Sequence, residues 1–211
     1  MSITLTQSSR LLFIGDSITD ADWRKCPESI GKGFVRVIRD YLAAKNPAGA
    51  PTVLNRGISG NKITDLQKRW DRDAVELQPD VLSVYIGIND VWHGFVPDRV
   101  GCPIDQFVAG YRDILSRARA ALPKLQLILC EPSVLWLAEP ANANDLLKPY
   151  VAAVHEIAGE FAAAGVVRLH GAFIHAREQR PDIAWTTDGV HPSSFGHMLI
   201  ARGWLQSAGQ L

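Results

Sequence analysis

The chain has 211 residues, 47% of them hydrophobic and 21% charged, with 22 basic side chains against 22 acidic ones. That is enough for one large domain with its own core, here 1–211, and a zero balance offers no long-range field to nucleic acid or an anionic membrane. The early apolar run gives way to Gly15 and Asp16 before it could form a signal-peptide core or a membrane span, so a cytoplasmic location is expected, and Cys26, Cys102 and Cys130 are too irregularly spaced for a disulfide framework or a metal knuckle.

Leu11 to Ile14 form a short buried strand, ended abruptly by Gly15, Asp16 and Ser17. Residues 21–32 are mixed and turn-rich, a loop beside that strand end. Phe34, Val35, Ile38 and Leu42 recur at helical spacing from Gly33 to Lys45, and Asn46-Pro47 stops them. Thr52 to Leu54 make a second strand, followed by the turn Ile58, Ser59, Gly60, Asn61. Thr64 or Asp65 caps a helix through Leu66, Trp70 and Val75 to Leu77. Val81 to Ile86 read as a central parallel strand covered on both faces, ending in Gly87, Ile88, Asn89 and Asp90.

A loop with Trp92 and His93 leads to a helix over 104–122, and a fourth strand covers Gln126 to Cys130. The apolar, proline-punctuated stretch 133–144 is expected to be a long loop or a short lid, and Val134 to Leu137 could line a partner subunit or shape a pocket. A helix over 145–164, weakened at Pro149 and Gly159, precedes a strand at 166–169, a short helix at 171–180, and a last helix opened by Pro192 or Ser193. Five strand-helix alternations without a compositional break predict an α/β fold, one doubly wound domain.

Read alone, Asp16 or Ser17 is a helix cap. Three strands, however, end in turns bearing Gly-Asp-Ser, Ser-Gly-Asn and Gly-Ile-Asn-Asp. In a parallel sheet such turns share one crevice at the carboxyl ends of the strands. Asp188 and His191 stand three apart on a loop before the last helix, close enough for the carboxylate to hold the imidazole Nδ1 proton. A serine, a histidine base and an orienting carboxylate are what acyl transfer requires, because a hydroxyl is a poor nucleophile until a base takes its proton. The backbone N–H groups of Ser17 and Gly60 and the amide of Asn89 are suitable oxyanion donors. Asp16 can orient the nucleophile turn or contact substrate. Trp92 and Trp185 flank these turns and are candidates to floor an acyl pocket or stack on a sugar, and Arg56 to bind substrate or pair with a surface acid. His155 and His170 read as packing or hydrogen-bonding residues, while His93, His175 and His197 match no metal-ligand pattern, so no metal is expected. A single glycine in the first turn argues against a dinucleotide fingerprint.

In their order, GDSITD at 15–20, SGN at 59–61, GIND at 87–90 and DGVH at 188–191 resemble the four blocks of the SGNH, or GDSL, hydrolases. The resemblance spans the whole chain. It implies a three-layer α/β/α sandwich around a five-stranded parallel sheet, with no cofactor, Ser17 as nucleophile, His191 as base, Asp188 as its partner, and Gly60 and Asn89 as oxyanion donors. Within that family LLFIGDSITD, GISGN, IGINDVW and HPSSFGHM are most similar to intracellular acetylxylan esterases. That likeness implies a homo-oligomer acting on a small acetylated saccharide. Two alternatives stay open: a thioesterase or lysophospholipase on longer acyl chains, and an inactive carbohydrate-binding protein.

Overall fold

The computed structural model describes residues 3–211. Its centre is a parallel sheet of β1 (Arg10–Gly15), β2 (Thr52–Gly57), β3 (Val81–Tyr85), β4 (Gln126–Cys130) and β5 (Gly165–Val167) in the order β2-β1-β3-β4-β5. The apolar side chains of β1, β3 and β4 are buried because both faces of the sheet are covered. The crossover from β1 to β2 runs one way across the sheet and the later ones run the other way. Right-handed connections therefore place their helices on opposite faces. On one side α2 (Phe34–Lys45) packs on α8 (Ser194–Ser207), which also meets α7 (His170–Gln179). On the other, α5 (Ile104–Ala121) lies between α3 (Ile63–Trp70) and α6 (Ala143–Glu160). The expected three-layer α/β/α sandwich around five parallel strands is what forms. Ser83 is a polar group in the buried β3, and its hydroxyl accepts the Trp204 indole N–H at 3.0 Å. All three cysteines are free.

The helix expected from Thr64 or Asp65 is capped two or three residues earlier. Lys62 is its N-cap, and Asp65 sits three residues on, accepting the Lys62 N–H through Oδ2 at 3.1 Å. The helix then widens into a π turn over Asp71–Val75 instead of continuing regularly to Leu77. Pro149 and Gly159 do not interrupt α6, since its buried face, with Leu147, Val154 and Ile157, holds it against the sheet. Two short helices interrupt segments read as turns, α1 (Ser17–Asp20) and α4 (Ile88–Trp92).

The stretch 133–142 is irregular, as expected, but it is not a lid and Val134 and Leu135 are not available to a partner. Both side chains are fully buried in the core, an anchorage of roughly 3–6 kcal/mol for the pair. The Leu135 N–H donates to Asn144 Oδ1 at 2.8 Å and the Trp136 N–H to the Gly189 carbonyl at 2.8 Å, so the segment supports the loop carrying Asp188 and His191 from below. No helix among the described residues is long and apolar enough to cross a membrane.

Candidate active site

The order β2-β1-β3 makes the gap between β1 and β3 the switch point, where connections leave in opposite directions and a crevice opens beyond the strand ends. In the register of the sheet Gly15 is level with both Gly57 and Tyr85. Ser17, Gly60 and Asn89 follow these aligned positions within a few residues, which brings three turns distant in sequence to one rim.

Asp16 is the N-cap of α1, its Oδ1 accepting the Ile18 N–H at 2.9 Å. Ser17 is then the first helical residue, and its own N–H has no intrahelical acceptor. Its Oγ lies 2.9 Å from His191 Nε2. His191 Nδ1 in turn is 2.6 Å from Asp188 Oδ2. Asp188 Oδ1 accepts the backbone N–H groups of His191 and Val190 at 2.7 and 3.0 Å, fixing the loop that presents the ring. Partial burial pulls the Asp188 carboxyl upward, but donation from the His191 backbone, the His191 ring and Val190 outweighs it and keeps the carboxyl below its ordinary value. The intervening Gly189 has φ +86°, and a side chain there would strike the Trp136 carbonyl, so this position requires glycine twice over. A hydroxyl held in this chain can pass its proton to Nε2 as it attacks a carbonyl.

The Gly60 turn is pinned from two sides. Ser59 donates its N–H and its Oγ–H to Asp20 Oδ2 at 3.0 and 2.9 Å. Asn89 Nδ2 donates to the Asn61 carbonyl at 3.0 Å, which leaves one amide proton for another acceptor. Gly60 itself has φ +80° and open space where a side chain would begin, so backbone conformation rather than crowding selects glycine. Its N–H has no hydrogen-bond partner among the described residues.

Trp92 is brought to the site, its ring meeting His191 edge-on with centroids 5.8 Å apart. Trp185 is not. Its indole N–H donates to the Arg180 carbonyl at 3.1 Å and its ring rests against Phe195, so despite its nearness in sequence to Asp188 the side chain turns toward α8. Asp16 orients the nucleophile turn, as one of its two readings had it, but its fully buried side chain has no surface for the other, contact with a substrate. Arg56 pairs with no acid among the described residues; its guanidinium lies over the Trp23 ring, 5.2 Å from the centroid, and donates to the Asn55 carbonyl. His155 and His170 both bond Glu131, through the His155 ring and the His170 backbone N–H. Among the described residues, no group of three or more His, Cys, Asp or Glu side chains is arranged to hold a metal ion.

Sequence reading missed Trp23, Asp20 and Arg69. Arg69 is buried and donates to the Gly15, Arg56 and Asp73 oxygens and to Asn61 Oδ1. The signal was present: Arg69 falls beside Trp70 in the apolar stripe Ile63, Leu66, Trp70, where a charge must have internal partners.

A doubly wound α/β sheet with hydroxyl, imidazole and carboxylate in series on its C-terminal rim is the build of a serine hydrolase. The chain belongs to the GDSL-like Lipase/Acylhydrolase family, whose model matches residues 13–199. It is 33% identical over 210 residues to an acetylxylan esterase from Geobacillus stearothermophilus, covering 95% of this chain and 94% of that one. The crystal structure of Axe2, an acetylxylan esterase from the same organism, superposes with a TM-score of 0.84 at 33% identity over 97% of each chain. LAE5, an α/β hydrolase from the metagenome of Lake Arreo in Spain, gives 0.86 at 29% identity over 98% of each.

Proposed function

We propose that the protein is a carboxylic ester hydrolase that removes acetyl groups from small acetylated saccharides, xylo-oligosaccharides first among them, through an acyl-enzyme on Ser17. The observation that carries this reading is the unbroken series from Ser17 Oγ to His191 Nε2 and from His191 Nδ1 to Asp188. His191 takes the Ser17 proton as Oγ attacks the ester carbonyl. The N–H groups of Ser17 and Gly60 and the free amide proton of Asn89 receive the oxyanion. His191 then gives its proton to the departing sugar oxygen, and water attacks the acyl-enzyme by the reverse route. Asp188 keeps the imidazole in the tautomer with Nε2 free and stabilises the imidazolium. Trp92 bounds the acyl side beside His191, and Arg56 on its Trp23 platform is a donor for sugar hydroxyls.

The relatives support the substrate class. Structures of Axe2 include variants described as catalytic mutants, in which a serine, an aspartate or a histidine is replaced by alanine. Self-association and a cytoplasmic location belong to the same proposal and are checked by sedimentation and cell fractionation. The deciding test is acetate release from acetylated xylo-oligosaccharides, with 4-nitrophenyl acetate, butyrate and decanoate alongside. Wild type is expected to release acetate and to lose rate steeply as the acyl chain lengthens. Ser17→Ala is expected to be inactive with an unchanged circular dichroism spectrum, and persistent turnover by that variant would refute the mechanism.

A further inference from the structure

Beside the Gly60 turn lies an open cavity of about 490 Å³, lined among others by Gly60, Asn61, Lys62, Asp65, His93 and Arg99. Gly60 and Asn61 are shared between this cavity and the oxyanion turn, and His93 follows Trp92, the ring that meets His191. The cavity therefore borders the reacting centre on the β2 and β3 side. Ion pairs elsewhere occupy most exposed arginines and lysines near a carboxylate, but neither Lys62 nor Arg99 has a carboxylate partner among the described residues. Lys62 Nζ donates to the Val100 carbonyl at 2.6 Å, which steadies the loop carrying Arg99 and leaves two ammonium protons unused. Arg99 Nη1 is 3.0 Å from His93 Nε2.

The one acid in the wall is already committed. Asp65 Oδ2 accepts the Lys62 N–H and Oδ1 the Lys68 ammonium, each at 3.1 Å. His93 is buried, and burial together with Arg99 and Lys62 holds its ring below its ordinary pKa, so it stays neutral and accepts from Arg99. The wall thus presents two cations with donors to spare and no anion to receive them. Such a pair matches an oxyanion group, for which the guanidinium fork and the ammonium supply charge-assisted hydrogen bonds.

We propose that this cavity is an anion subsite that takes a carboxylate or phosphate carried on the alcohol part of the ester whose acetyl group lies at Ser17. The proposal rests on the esterase reading and adds to it a preference among acetylated sugars for acidic ones.

The test compares kcat/KM for acetate release from three acetylated compounds: a methyl xyloside, a glucuronic acid and a glucose 6-phosphate. At low salt the better acidic ester is expected to exceed the neutral one about tenfold, or roughly 1.4 kcal/mol. The ratio should fall toward one at about 0.5 M salt, where the Debye length is only a few ångströms. Arg99→Gln and Lys62→Gln should each lower the ratio and Arg99→Glu should invert it. Preference for the glucuronic or the phosphate ester identifies which anion fits. A ratio near one in wild type at low salt, with the neutral ester hydrolysed, overturns the subsite and leaves the esterase reading standing. An unchanged ratio in Arg99→Glu also overturns it. Failure to hydrolyse any of the three overturns the esterase reading and the subsite with it.

Discussion

Arg69 donates from Nη2 to the carbonyl oxygen of Gly15 at 3.0 Å, which ties α3 to the residue two before Ser17. The same guanidinium reaches the Arg56 carbonyl at 2.9 Å and Asn61 Oδ1 at 2.8 Å. One side chain thus spaces the ends of β1 and β2 and the turn that holds Gly60. Its own charge is met by Asp73 at 3.0 Å. Arg69→Ala should cost about 2–4 kcal/mol of stability, since buried acceptors lose a charged donor. Arg69→Lys keeps the charge but not the fork, and is expected to fold and to lose at least about tenfold in kcat with little change in KM, as for a donor misplaced only in the transition state. Steady-state kinetics on 4-nitrophenyl acetate give the split, and an unchanged kcat would reduce Arg69 to a structural tie.

Asp188→Asn preserves size and an acceptor for the Val190 and His191 N–H groups, but it turns an amide toward Nδ1 and favours the wrong tautomer. A drop in kcat of about a thousandfold near neutral pH is expected, with the thermal midpoint nearly unchanged. The half-exposed position of this carboxylate limits how much its charge contributes to stability.

Asn89→Ala removes a proposed oxyanion donor and the bond to the Asn61 carbonyl together. The expected loss is about a hundredfold to a thousandfold in kcat and about 1 kcal/mol of stability. Retention of full activity in this variant, measured by acetate release, would take the Asn89 amide out of the mechanism.

Two buried groups beside the site should shape stability in opposite directions with pH. Burial, opposed by the Ile18 N–H and reinforced by the charge of Asp90, raises the Asp16 carboxyl to about 7 from 3.8, and its Oδ2 has no partner. Between those values the unfolded chain ionises while the folded one keeps its proton, so Asp16 lowers stability as pH rises through that window. Asp16→Asn keeps the acceptor for Ile18 and should raise stability by on the order of 2 kcal/mol at about pH 8, the gain vanishing toward pH 4. His197 runs the other way. Burial, with the nearby His191, lowers its ring to about 4 from 6.5, and Nδ1 accepts the Phe34 N–H at 3.2 Å. Below its ordinary value the unfolded chain takes a proton that the folded one refuses, so stability falls as pH drops through that range. Thermal melts of wild type and Asp16→Asn across the range separate the two, and a constant difference between them would contradict the buried-carboxyl assignment.

The strands and the pairing of Asp188 with His191 were legible because their patterning is local. The β-branched and aromatic run Val81 to Ile86 reads as a covered strand and forms one over Val81–Tyr85, and an aspartate three before a histidine needs only a loop to bring the pair together. What sequence did not convey is direction. Trp92 and Trp185 both adjoin reactive turns, yet one ring meets His191 and the other meets Phe195, because each follows the local backbone rather than its neighbours in the chain. The same holds for 133–137, whose apolar residues look like a lid until Val134 and Leu135 are found in the core. Arg69 was hidden for a different reason: its partners are mostly backbone oxygens, which no side-chain pattern advertises.

The two atoms of the shortest link between nucleophile and base, Ser17 Oγ and His191 Nε2, belong to residues 174 positions apart. On synthesis the serine therefore emerges before β2 to β5 are made and the imidazole only after them. A nascent chain that has made all five strands still lacks the base that its nucleophile needs. Pairing of nucleophile and base is in this sense a late event of assembly, made once the loop bearing His191 is held through the Trp136 N–H and the Gly189 carbonyl.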